Sequence, residues 1–99
     1  MRYFVIGDED TVLGFSLVGT SGMSASTPAE AQHALSKALE GQEYGIIIIT
    51  QDVADMIRSE VDRYIFSENF PLVVEIPNRF TGSSRDLRAL VNEAIGVSL

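Results

Sequence analysis

Two groups of residues in this sequence have types and spacing that could do chemistry. The first is acidic. Asp8, Glu9 and Asp10 follow one short apolar run, and Thr50, Gln51 and Asp52 follow another. If the two runs are neighbouring parallel strands, these residues meet at the switch point of an open α/β sheet, where such sheets bind ligands. Clustered carboxylates there would suit a hard divalent cation. The same residue types also cap helices and complement the positive end of the helix dipole, so a structural role stands beside the chemical one. The second group is basic. Arg79, Arg85 and Arg88 sit close together near the end of the chain. They suit an interface with an acidic patch, or a solvated turn.

Other chemistries find little to work with. Gly7 is followed by acids rather than glycines, and the sequence contains neither GxGxxG nor GxxxxGK[ST]. Carboxylates at that turn repel a phosphate. The chain has no cysteine, which excludes disulfides and thiolate sites. His33 falls in a helical stretch, off the apolar stripe, and Ser16, Ser21, Ser24 and Ser26 have no evident base. Hydrolysis by paired carboxylates needs a cleft that so small a sheet barely provides. The expectation is therefore no catalytic residue, no cofactor and no metal ligand.

Charge narrows the partners. The 99 residues carry 14 acids and 7 bases, a net −7, with 45% hydrophobic and 21% charged residues. This is the composition of one small globular domain. The acidity is concentrated early: residues 1–57 hold eight acids against two bases, residues 58–99 six against five. Such a surface repels nucleic acid and anionic lipid and favours a partner with a basic patch. No apolar run approaches the ~20 residues of a membrane span, the longest being Ile46–Ile49. Gly7–Asp10 cuts short the apolar start, and we expect no export signal.

The elements that must position these residues alternate strand and helix, which points to a parallel sheet with crossover helices. Tyr3–Gly7 reads as the first strand. Asp8 or Asp10 caps a helix carrying Val12, Leu13, Phe15 and Leu17 and ending near Gly19. Gly14 inside that helix costs about 1 kcal/mol relative to Ala, so something should approach its backbone closely. Met23–Ser26 is a polar second strand. Thr27, Pro28 and Glu30 form a capping box for a second helix, with an apolar stripe of Ala31, Ala34, Leu35, Ala38 and Leu39. Tyr44–Thr50 is the third strand, whose four consecutive isoleucines predict burial on both faces. Thr50 can cap a third helix, with Val53, Ile57, Val61 and Ile65 at every fourth position. Leu72–Ile76 is the fourth strand, where Glu75 implies a partly wet side and hence an edge. A loop, a second capping box (Ser83 and Asp86) and a helix bearing Leu87, Leu90, Val91, Ala94 and Ile95 close the chain.

Right-handed crossovers then give an α/β fold with a four-stranded parallel sheet in the order 2-1-3-4. Residues 1–77 form the sheet domain; residues 78–99 are a loop and C-terminal helix, within the same domain or reaching a partner. Four strands span about 19 Å, and one helix covers about 10 Å of it. One face receives only the first helix, so its other half awaits the last helix or a partner.

Three segments together resemble a known family: IGDEDTVLGFSLVG (Ile6–Gly19), EYGIIIITQDVADMIR (Glu43–Arg58) and FPLVVEIP (Phe70–Pro77). The chain is similar over nearly its whole length to the F subunit of the V-type and A-type rotary ATPases, in the short archaeal and bacterial form. Gly14, Phe15 and Gly19, the strand Tyr44–Thr50, and Pro71 with Ile76 and Pro77 carry the likeness.

The resemblance implies a Rossmann-like, receiver-like sheet and a noncatalytic role in the central stalk. The partner would be the D subunit, the coiled-coil shaft, beside other central-stalk and catalytic-head subunits. The location would be cytoplasmic, peripheral to the membrane within the soluble V1/A1 sector, without membrane insertion. The complex couples ATP synthesis or hydrolysis to proton or sodium transport. On this reading the expected contacts with the D subunit are Arg79, Phe80, Arg85, Arg88, Leu90, Val91 and Ile95. The alternative is a receiver-like signalling domain, which shares the topology and the acids after the first strand. A receiver needs a phosphorylatable Asp at the end of the third strand and a Lys on a fifth. Here Asp52 falls two residues beyond Thr50, and Lys37 is the only lysine.

Overall fold

The structure is a computed structural model and describes residues 2–67 and 71–78. Strands β1 (Arg2–Gly7), β2 (Ser21–Ser24), β3 (Tyr44–Thr50) and β4 (Leu72–Ile76) form one sheet in the order β2-β1-β3-β4, every pairing parallel. Between them run helices α1 (Glu9–Ser16), α2 (Pro28–Leu39), α3 (Gln51–Met56) and α4 (Arg58–Ile65). The α/β class and the strand order match the sequence expectation. The second strand begins two residues earlier than expected, at Ser21.

Local chemistry explains the helix starts. Asp8, not Asp10, caps α1, its carboxylate accepting from the Thr11 amide at 3.1 Å. Thr27 caps α2 by accepting from the Glu30 amide at 3.1 Å, with Pro28 at the first helical position. The return bond of this box is displaced by one residue. The Glu30 carboxylate accepts from the Ser26 amide at 2.7 Å.

The single third helix expected from Val53, Ile57, Val61 and Ile65 is two helices. Ile57 takes φ −133° and ψ 44°, outside helical geometry. The reason lies in the repeat. Four residues advance a helix by about 400°, so four such positions drift through roughly 120° on a straight helix. The break at Ile57 keeps Val53, Ile57 and Val61 all buried.

The core occupies one face of the sheet. Phe4, Ile6, Ile47, Ile49 and Val73 point to that side and pack with Ala31, Ala34, Leu35 and Ala38 of α2 and with Val53, Ala54, Ile57 and Val61. Small residues on α2 let it lie close to the strands. The opposite face follows a second rule. Val5 is fully buried there, but its neighbours in register, Ile48 and Val74, are not. Ile46 and Ile48 are only half-buried, so the expectation that both faces of β3 are covered fails among the described residues. Among the described residues the cause is coverage, since α1 lies over β1 and β2 and no described helix lies over β3 and β4 on this side.

Candidate functional site

At the switch point the strand ends are tied together by the chain's own groups. Thr50 is fully buried and ends β3 beside Gly7. A Cβ on Gly7 would come within 2.8 Å of the Thr50 methyl group, so any side chain there forces one of the two to shift. The Thr50 hydroxyl donates to Asp52 Oδ1 at 2.6 Å, and the same oxygen accepts from the Val53 amide at 2.8 Å. Asp8 accepts from both the amide and the hydroxyl of Thr11. Asp8 and Asp52 thus each serve a helix N-terminus. Glu9, Asp10 and Gln51 stand exposed around the rim. Among the described residues no three His, Cys, Asp or Glu side chains gather in a group able to hold a metal ion.

One participant escaped the sequence reading. Thr50 occupies the cap position of α3 yet does not accept from its amides. The Asn78 side chain does, receiving the Asp52 amide at 2.6 Å. Asn78 is 26 residues away, so no local pattern could expose this cap. It fastens the exit of β4 to the start of α3.

Glu75 also departs from expectation in its direction. β4 is an edge, as its lone charge suggested, but Glu75 lies on the helix-covered face, in register with Ile49. It receives Arg58 Nη1 at 2.6 Å and Nη2 at 3.1 Å. Arg58 also pairs with Asp55 and with Asp62, the latter at 3.2 Å. These carboxylates, Glu75 first and Asp55 next, raise the guanidinium's affinity for its proton above the ordinary arginine value. The wetter side of β4 is apolar instead: Leu72 is 52% and Val74 38% exposed.

The open apolar surface continues onto α1. Among the described residues α1 buries no side chain fully. Leu13 is 60%, Leu17 81% and Val18 79% exposed. Beside them a groove of about 460 Å³ runs between α1 and the end of β4, lined by Asp10, Thr11, Gly14, Phe15, Val18, Ile76 and Pro77. His33 is exposed on α2, and the Ser16 hydroxyl donates back to the Leu13 carbonyl at 2.6 Å. No helix among the described residues is long and apolar enough to cross a membrane. Arg79, Phe80, Arg85, Arg88, Leu90, Val91 and Ile95 lie outside the described residues, as do the second capping box and the last helix.

The fold and its surfaces define a small parallel α/β module with apolar side chains exposed on α1 and β4 among its described residues. Comparison with known proteins agrees with a module of this kind. The family described as ATP synthase (F/14-kDa) subunit matches residues 4–94, and the chain belongs to that family. The F subunit of the A-type ATP synthase of Methanothermobacter thermautotrophicus is 34% identical over 99 residues, covering 96% of this chain and 92% of the relative. Those of Pyrococcus furiosus and Thermococcus gammatolerans are 35% and 36% identical, each covering 100% of this chain and 98% of the relative.

Proposed function

We propose that this chain is the noncatalytic F subunit of an A-type rotary ATP synthase, seated on the central stalk and bound to the D subunit of the shaft. The observation that carries the reading is the family match over residues 4–94. The geometry supports it. At the switch point Thr50, Asp8 and Asp52 make hydrogen bonds within the chain, while apolar side chains stand exposed along α1 and β4. Exposed apolar surface of this extent marks a protein interface more often than a reaction centre.

On this reading the module docks beside the shaft and stiffens it, and so helps transmit torque between ATP turnover and ion movement. Arg79, Phe80, Arg85 and Arg88 meet the D subunit, with Leu90, Val91 and Ile95 on the same C-terminal segment. The chain remains peripheral to the membrane, within the soluble sector of the complex. Co-expression with the shaft protein of the same genome tests the reading. A stable 1:1 pair on gel filtration, confirmed by native mass, is the expected result. Two species that elute separately at micromolar concentration overturn it.

A further inference from the structure

β2 is the edge of the sheet opposite β4. Its register with β1 runs unbroken from Phe4–Ser21 to Gly7–Ser24, and the Ala25 amide donates to the Gly7 carbonyl at 3.0 Å. In a parallel ladder the bonding backbone groups come from alternate residues, so Met23 turns its N–H and C=O toward β1, whereas Gly22 and Ser24 turn theirs outward. Both residues are exposed. Gly22 leaves its backbone bare because no side chain fits there. A Cβ would lie 2.5 Å from Val5 Cγ1 and 2.7 Å from the Val5 carbonyl oxygen. The strand holds no proline, no charge and no bulge, devices that keep an edge from pairing. Its shortness, four residues, is the protection it retains.

A cleft of about 400 Å³ opens beside this edge on the α2 side, lined by Phe4, Gly22, Met23 and Tyr44, with Lys37 and Glu40 where α2 ends. The Phe4 and Tyr44 rings pack 4.9 Å apart and form its apolar wall. Charge selects what enters. Both bases of residues 1–57 are already paired, Arg2 with Glu43 at 2.5 Å and Lys37 with Glu40 at 3.6 Å. Two bases against eight acids leave that stretch at −6. A second copy of this chain, itself −7, is repelled by such a field, and a basic segment is drawn to it.

We infer that β2 is a strand-addition site, and that its occupant is an extended segment of another protein in which apolar residues alternate with Lys or Arg. The segment's backbone bonds to the outward groups of Gly22 and Ser24. One of its apolar side chains enters the cleft beside Phe4 and Met23, and its bases meet the acidic field. This contact is separate from the one proposed for the shaft and does not depend on it.

The test uses the full chain and a synthetic peptide of sequence Lys-Val-Lys-Leu-Lys-Val-Lys, with binding followed by fluorescence anisotropy and by amide hydrogen exchange. Saturable binding should slow exchange at the Gly22 and Ser24 amides by at least about tenfold and leave the central strands unchanged. The same peptide N-methylated throughout keeps every charge and loses every backbone donor. It should bind about tenfold more weakly. Ser24→Lys sets a base on the exposed edge without touching the ladder. That variant should keep the parent's melting temperature and bind the peptide about tenfold more weakly. An N-methylated peptide that binds within about twofold of the original shows attraction by charge alone and overturns the proposal. Protection that appears on β4 instead of β2 overturns it too, as does a parent that does not bind the peptide. A parent dimer that Ser24→Lys dissolves assigns the edge to a second copy and overturns it as well. None of these outcomes touches the stalk reading, which co-expression with the shaft protein decides separately.

Discussion

Arg58 and Glu75 face each other across the gap between α4 and the edge strand β4, with Nη1 2.6 Å from Oε1 and Nη2 3.1 Å from Oε2. The two parallel bonds make a fork geometry that lysine cannot copy. They also settle why a charge is tolerated on the covered face of β4, since the pair holds Glu75 beside the last helix before the edge.

Breaking that pair should destabilise the fold modestly. Both side chains retain some exposure, so solvent screens them, and Glu75→Gln should cost about 1 kcal/mol. For a domain of this size that is a fall of about 4–8 °C in melting temperature. Arg58→Lys should recover little of it. The stability contributed by the arginine's raised affinity for its proton is fully present below its unfolded-state value and is lost only at very alkaline pH, as pH rises through the higher folded-state value. The measurement is thermal unfolding at neutral pH in low salt. A Glu75→Gln protein as stable as the parent would show that the fork contributes nothing net.

Asn78 should prove to be a cap in function as well as in geometry. Removing its oxygen with Asn78→Ala leaves the Asp52 amide without that acceptor and should cost about 1 kcal/mol. Asn78→Asp retains an acceptor and should cost less. Hydrogen exchange at the first amides of α3 should accelerate in the alanine variant while the central strands stay protected.

Two neighbours in β3 should differ in how much they matter. Ile49 is fully buried in the core and Ile48 half-buried on the open face. Ile49→Ala should cost about 2–5 kcal/mol, whereas Ile48→Ala should cost less than half as much. Equal losses in denaturant unfolding would mean that the second face is sealed.

The close approach of the β1 and β3 ends can be tested by exchanging the groups that meet there. Gly7→Ala drives a methyl group into Thr50 and should cost about 1–3 kcal/mol. Thr50→Ser removes the methyl in the way and keeps the hydroxyl that serves Asp52. The double variant should therefore be more stable than additivity allows. A strictly additive cycle would mean that the clash is relieved elsewhere.

Deletion from Ser84 onward addresses the partner. The shortened chain should keep the circular dichroism of the sheet and lose at least about tenfold in affinity for the shaft subunit. Undiminished binding would move the interface away from the C-terminal segment.

Much of this could be read from the sequence because the signals were local. Thr27-Pro28 announces a helix start by itself, and the isoleucine run Ile46–Ile49 announces a central strand. Strand order followed from which runs were apolar. What escaped depended on distant pairs. Asn78 reaches back 26 residues to α3, and Arg58 reaches forward 17 residues to Glu75. The isoleucine run also misled, because hydrophobicity cannot say whether a helix lies over a given half of a sheet. The break at Ile57 was partly visible, since a strict four-residue repeat cannot stay on one face of a straight helix. Of the expected site, Asp8 and Asp52 were recognisable as caps by position, whereas the apolar surface at α1 emerged only once its exposure was known.

The Asn78 clasp governs where mechanical load enters the module. A pull on the chain beyond residue 78 first meets a side-chain bond to the amide of Asp52, at the junction of β3 and α3. It then acts along β4, whose ladder to β3 runs parallel from Ile46–Leu72 to Thr50–Ile76. Force applied along β4 would strain all of those bonds together instead of unzipping them one by one.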